Sequence, residues 1–327
     1  MKKQMNIFVS GEEGLIAKTL IAQLKSLGHT IANENPKFDI YRTYDHTIIN
    51  SNFMFRNKDR KLEIDIKEFG LLEIFKSMKI DMIIHASAFV NTSKCENNLE
   101  GAIDNNIKAT FNLVHIAKTC DIAFVNFSTT AILNPRTYNG NTLKISEESE
   151  IFPKTYYGMT KCCAQYIVKW NLEKYLNFLP IFFVGPFPLD SSSELVKIIY
   201  NTIHNTHYEV TLSEQNIKAY FWVEDACDAI IKIIFNPESW KLENRDFVIA
   251  TYDTHKYQDY LDMIKQKLGV DTLPITFLSD KDYLGNHISS AQKMRKYALG
   301  WEQQVFASEI IDKIIQSIKE NEIQLSN

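Results

Sequence analysis

The 327-residue chain has little that would tie it to a charged polymer, a membrane or an oxidising compartment. Its formal charge is only −4, and the 36 Lys and Arg residues are scattered among 40 Asp and Glu, so no electrostatic footprint for a nucleic-acid backbone is present. Long apolar runs are missing. Residues 1–5 carry charge and lead into the short run 6–11, too brief for a signal peptide or a membrane span, which places the protein in the cytoplasm. Cys95, Cys120, Cys162, Cys163 and Cys227 are an odd set without paired metal-type spacing. The adjacent Cys162 and Cys163 would point in different directions on a helix, so reduced structural thiols are expected. The eight histidines, among them His85, His204 and His207, also lack metal-ligand spacing and read as core or surface residues, so no metal is expected. There is no internal repeat and no low-complexity tract.

What is present is an ordinary globular composition, 45% hydrophobic and 23% charged, in a chain long enough for two lobes. From residue 6 to about 184, short apolar runs alternate with stretches of helical period. Runs 7–9, 82–86, 122–125 and 181–184 are continuously apolar, as strands covered on both faces should be. Helices are expected over 14–27, 67–78, 96–119 and 153–174, with breaks near Gly28 and Asp121. This predicts an α/β fold, a Rossmann-type doubly wound parallel sheet over 1–184. A smaller α/β lobe over 185–327, mainly for substrate, is expected to follow, with segments free to interleave. That part shows helices over 192–204 and 224–235 and a strand-like run at 247–249, while 35–61 reads as a long connection or irregular insertion.

Gly11-Glu12-Glu13-Gly14-Leu15-Ile16-Ala17 follows the first apolar run directly and opens a helix. Glycines at 11 and 14 would let backbone N–H groups, including those of Leu15 and Ile16, approach a pyrophosphate, and the small Ala17 would permit close packing of helix on strand. A tight strand-to-helix turn with no ligand is the alternative. Glu34 could accept hydrogen bonds from an adenosine ribose, whereas Asn35 and Lys37 suit a 2′-phosphate, which leaves NAD and NADP both open. Asp65, with Ile66 after it, ends the expected third strand where a carboxylate can meet an adenine amino group; a helix N-cap is the other reading.

Tyr157 and Lys161 are four apart and share one helix face. A tyrosine hydroxyl ordinarily titrates near 10, and an ammonium one turn away stabilises its phenolate, which suits it to proton exchange. Residues 124–130 end the preceding strand in Ser128-Thr129-Thr130, placing hydroxyls where a substrate oxygen would be held. At the end of a strand such hydroxyls also cap turns.

Taken in order, the glycine segment, Asp81 to Ala88, Asp104 to Thr110, Ser128-Thr129, the Tyr157–Lys161 pair, Gly185-Pro186, Trp222 to Ala226 and Leu299 to Trp301 resemble the extended short-chain dehydrogenase/reductase family over nearly the whole chain. The family's members include nucleotide-sugar 4-epimerases, 4,6-dehydratases and 4-ketoreductases. The resemblance implies that Thr129 is the catalytic hydroxyl and that Lys161 also holds the nicotinamide ribose. It further implies that Ala86, Ser87 and Ala88 line the cofactor and that Asn106 supports a proton relay from a kinked helix. Thr130 and Phe187 fall on the substrate side.

The segment Thr92 to Glu96 is similar to a loop of deoxysugar 4-ketoreductases. Dehydratases carry an Asp-Glu pair where this chain has Thr130-Ala131, so water elimination is disfavoured. Leu133-Asn134 and Leu179 also depart from the family pattern around the substrate. The resemblance thus implies an NAD(P)-dependent nucleotide-sugar 4-ketoreductase acting on surface-glycan precursors. A C4 epimerase with tightly bound NAD is the alternative, and a non-catalytic dinucleotide sensor a second. A homodimer paired through the helices at 96–119 and 153–174 is implied as well.

Overall fold

The computed structural model describes residues 4–32, 55–56, 62–63, 72–90, 92–134, 136–138, 142–180, 183–184, 193–210, 216–278 and 287–320. Glu34, Asp65, Ile66 and Phe187, and most of the 35–61 connection, lie outside them.

Six parallel strands form the central sheet, in the spatial order Asp246–Ile249, Tyr175–Pro180, Ala123–Phe127, Met82–His85, Asn6–Ser10, Thr30–Ile31. Alternate side chains of the central strands enter opposite cores. Ile7, Val9, Ile84, Val125 and Phe178 pack under the helices Leu15–Ser26 and Val223–Ile234. Phe8, Ile83 and Phe124 pack under Leu72–Met78, Ala109–Cys120 and Tyr156–Asn171. Fully burying a side chain of this size contributes about 1.5–3 kcal/mol, so two covered faces explain the unbroken apolar runs. Gly28 (φ 85°) and Asp121 (φ 52°) end their helices in the left-handed region, as their positions in the sequence predict.

Three expectations are corrected. The strand expected at 181–184 is replaced in the sheet by Tyr175–Pro180, and Phe183–Val184 pairs instead with Phe221–Trp222. Leu62–Glu63 does not join the parallel sheet; it pairs antiparallel with Phe55–Arg56, the geometry a short connection allows. The single helix expected over 96–119 is four pieces: Thr92–Asn97, Leu99–Ile103, a π turn at Asp104–Lys108, and Ala109–Cys120. Asn98 interrupts it by accepting the Gly101 N–H at 2.9 Å with its own side chain, a competing cap.

The chain crosses the expected division after 184, because Val223–Ile234 and Asp246–Ile249 return to the first sheet. The remaining C-terminal part has its own core, where Glu194–Ile203, Tyr257–Leu268 and Ala307–Lys319 bury Ile198, Tyr257, Tyr260 and Ile314. The outer edge of the sheet is closed by side chains: the Val248 N–H donates to Glu147 Oε1 (2.9 Å) and Lys293 Nζ donates to the Asp246 carbonyl (2.7 Å). No helix among the described residues is long and apolar enough to cross a membrane.

Candidate functional site

Those sequence-predicted groups that fall among the described residues lie toward the carboxyl ends of the central strands, where open parallel sheets hold their ligands. Gly11 follows the first strand with φ +73°, and a Cβ there would stand 2.8 Å from Ser87 Cα and 2.9 Å from Ser87 N. Glycine is therefore required for the loop to lie against the end of the neighbouring strand. The Gly14 N–H closes the turn on the Gly11 carbonyl at 2.8 Å, and Gly14 itself is the N-cap of the Leu15–Ser26 helix. It has no side chain to cap the first N–H groups, which remain available to an anion. Ala17 is buried against the sheet. Glycines at 11 and 14, a helix start without a side-chain cap and the adjacent Ser87 backbone fit a dinucleotide pyrophosphate.

Ala86, Ser87 and Ala88 follow the Met82–His85 strand; Ser87 is buried and both alanines are half-buried. This segment is held at both ends. The Ser87 N–H donates to Ser10 Oγ (3.2 Å), and the Phe89 N–H donates to Asn106 Oδ1 (2.7 Å). Asn106, 1% exposed in the middle of the π turn, also donates to the Phe89 carbonyl (3.2 Å) and to Thr160 Oγ1 (2.9 Å). Its side chain thus ties the strand-end segment to the helix carrying Tyr157 and Lys161. π turns inside helices recur at functional sites because they re-aim one residue.

That helix, Tyr156–Asn171, is set in place at three points. At its start, Thr155 Oγ1 accepts the Gly158 N–H (3.0 Å) and Glu96 Oε1 accepts the Tyr156 N–H (3.0 Å). In its middle it meets Asn106 through Thr160. Toward its end, Lys169 Nζ pairs with Asp246 Oδ2 at 2.5 Å. Tyr157 is half-buried and Lys161 is 3% exposed. Burial pulls the Lys161 ammonium down to about 8.

Thr129 is buried and caps the short turn Thr130–Ile132, its Oγ1 accepting the Ala131 N–H at 3.2 Å. One lone pair is used in this way, and the hydroxyl proton is left for another acceptor. Thr130, half-buried, starts the turn. Gly158 packs on the same turn, so Tyr157, Lys161 and Thr129 stand on two elements in direct contact.

Reasoning from sequence missed Glu96, Gly158 and Thr160. Gly158 and Thr160 carry local signals, a glycine inside a helical pattern and a hydroxyl three residues after Tyr157, whereas Glu96 carries none, because it lies 60 residues before the Tyr156 N–H it accepts. His85 is a core residue, 1% exposed. Among the described residues no group of three His, Cys, Asp or Glu could hold a metal ion.

The profile of the NAD dependent epimerase/dehydratase family matches residues 7–250. The chain is 24% identical over 171 residues to a probable low-salt glycan biosynthesis reductase, Agl14, of Haloferax volcanii, covering 50% of this chain and 49% of that protein. It thus spans about half the length of the curated relatives it matches. Among solved structures, UDP-glucuronic acid 4-epimerase from Bacillus cereus, in complex with UDP-glucuronic acid and NAD, superposes with a TM-score of 0.74 at 16% identity, covering 97% of this chain and 100% of that one. A dTDP-4-dehydrorhamnose reductase from Clostridium acetobutylicum superposes with a TM-score of 0.67 at 18% identity, covering 98% and 100%.

Proposed function

Because the chain belongs to the NAD dependent epimerase/dehydratase family, we propose that it is a cytoplasmic nucleotide-sugar 4-ketoreductase using NAD(P)H. The supporting observation is the buried Lys161 ammonium one helical turn from Tyr157, on a helix that packs against the turn capped by Thr129. The backbone of Gly11, Gly14, Leu15 and Ile16 holds the pyrophosphate, and Ala86 to Ala88 line the dinucleotide. When bound, the nicotinamide supplies a hydride to C4 of a keto sugar. Tyr157 gives its hydroxyl proton to O4, completing the alcohol, while Thr129 donates a hydrogen bond to the same oxygen and orients it. Lys161 stabilises the negative charge left on the tyrosine oxygen and holds the ribose. Asn106 supports both by fixing Phe89 and Thr160. The name of the Haloferax relative agrees with a product destined for glycans.

We further propose a homodimer. Phe111 on one helix and Tyr166 and Trp170 on the next present 48%, 45% and 83% of their surface, a partly apolar face that a second copy of the chain would cover.

The test is to release any bound dinucleotide by denaturation, identify it by mass spectrometry, and then follow NAD(P)H fluorescence on adding 4-keto nucleotide sugars. Decay of the signal that is lost in Tyr157→Phe supports the reductase. Stoichiometric, tightly held NAD without net consumption would replace it with the C4 epimerase, which regenerates its own cofactor. Failure to bind either dinucleotide would leave a protein without this chemistry.

A further inference from the structure

Five strands of the central sheet place one buried polar side chain each at the same level on the face under the Tyr156–Asn171 helix. They are Ser10, His85, Asn126, Asn177 and Asp246, neighbours in register across the sheet. Asn126, Asn177 and Asp246 form one hydrogen-bonded group. Ser10 and His85 form another, and its proton positions can be deduced.

Thr110 Oγ1 lies 2.6 Å from the Asn106 carbonyl oxygen, which can only accept, so the single threonine proton points there. His85 Nε2, 2.9 Å from the same hydroxyl oxygen, must therefore donate to it. In a neutral imidazole the other nitrogen then accepts, and the Ser10 hydroxyl, 2.7 Å from Nδ1, donates. Ser10 Oγ in turn accepts the Ser87 N–H. Burial, reinforced by the charge of Lys161, pulls the imidazole down to about 3 and keeps it neutral.

We infer that His85, locked as the Nε2–H tautomer, is a positioning residue joining the dinucleotide end of the site to its proton-transfer end. Its Nδ1 arm holds Ser10 and, through it, Ser87, where the Gly11 loop touches. Its Nε2 arm holds Thr110 and the π turn, whose Asn106 grips Phe89 and Thr160. This assignment rests on the proposed roles of Gly11, Ser87, Tyr157 and Lys161.

The two arms can be cut separately. The carbonyl oxygen of asparagine falls where Nδ1 sits, so His85→Asn keeps the Ser10 arm and loses the Thr110 arm. The amide nitrogen of glutamine falls where Nε2 sits, so His85→Gln does the reverse. Two readouts are used: the Kd for NADH or NADPH from fluorescence titration, and amide hydrogen exchange in peptides covering 104–110 and 156–161. His85→Gln is expected to weaken dinucleotide binding about tenfold, the worth of one lost hydrogen bond, with exchange unchanged. His85→Asn is expected to leave the Kd unchanged, speed exchange in both peptides and lower kcat. Ser10→Ala should reproduce the first pattern and Thr110→Val the second. If the His85 variants change both readouts in parallel, or Ser10→Ala and Thr110→Val fail to separate, His85 is core filling and the inference falls. A wild-type protein that binds neither dinucleotide would overturn the proposed function instead, and the exchange data would still decide whether His85 holds the π turn.

Discussion

Gly158 lies so close to Ala131 that an added Cβ would stand 2.9 Å from the Ala131 carbonyl oxygen. The spacing between the helix of Tyr157 and the turn of Thr129 is therefore set by a missing methyl group. The contact is to backbone, which cannot rotate away. Gly158→Ala should leave the fold intact, at a cost of about 1–3 kcal/mol in stability. It should lower kcat by roughly 10²-fold, the scale of a 1 Å misplacement. Turnover of candidate 4-keto nucleotide sugars alongside a denaturant melt measures both, and an unaffected kcat would show that the two elements need not touch for the chemistry.

Gly11 faces two obstacles to substitution, a φ of +73° and the Ser87 backbone under 3 Å from any Cβ. Gly11→Ala is expected to cost about 1–3 kcal/mol from backbone strain alone and to weaken dinucleotide binding more than it slows turnover at saturating cofactor. Fluorescence titration against NADH and NADPH would reveal this, and an unchanged Kd would remove the loop from the binding site.

Lys161 links activity to pH through stability. Its folded value of about 8 lies below the ordinary 10.5. Below about 8 both folded and unfolded chains hold the proton, and the fold bears the full cost of a buried ammonium. Between about 8 and 10.5 the unfolded chain binds more protons than the folded one, so stability rises with pH and the cost disappears above 10.5. Lys161→Met in the dinucleotide-free protein should therefore be inactive yet more stable at pH 7, by about 1–3 kcal/mol. The gap should narrow as pH rises through 8. Urea unfolding at several pH values tests this; a methionine variant less stable than wild type at pH 7 would mean that the ammonium is compensated.

Asn177 is fully buried, accepts from Asn126 Nδ2 at 2.7 Å and donates to Asp246 Oδ1 at 3.0 Å. Asn177→Leu fits the apolar strand pattern better and should still destabilise by about 2–4 kcal/mol, because it strands a buried amide and removes one partner of a carboxylate. A neutral or stabilising effect in thermal unfolding would indicate that the polar row is dispensable.

Trp170, almost wholly exposed at 83%, should be silent in a monomer and costly in a dimer. Trp170→Glu is expected to shift the mass seen by light scattering from dimer to monomer at micromolar concentration, with the far-ultraviolet spectrum unchanged. A wild-type protein that scatters as a monomer would end the dimer proposal.

The same Asn177 shows where the sequence stopped being legible. Strands such as Ile7-Phe8-Val9 could be read because every position is apolar. Tyr175–Pro180 is hard to read as a strand because an asparagine and a proline break its run, although the asparagine is buried by virtue of two partners distant in sequence. Asp246 was invisible for the same reason: its partners Lys169 and Asn177 lie far upstream. The glycine loop and the Tyr157–Lys161 pair could be read because local spacing defines them. The kink at Asn106 follows from the family resemblance and not from local spacing, since the π turn is stabilised by Asn106 reaching Phe89 and Thr160, contacts made only after folding.

The strand Asp246–Ile249 reaches its place beside Tyr175–Pro180 from far down the chain, which separates the order of synthesis from the order of assembly. A nascent polypeptide that has left the ribosome only as far as Pro180 has an open sheet edge, and its Lys169 awaits a carboxylate not yet translated. The first half must therefore remain unfinished until the second has emerged. A gene split between the halves would yield two fragments whose strands belong to one sheet.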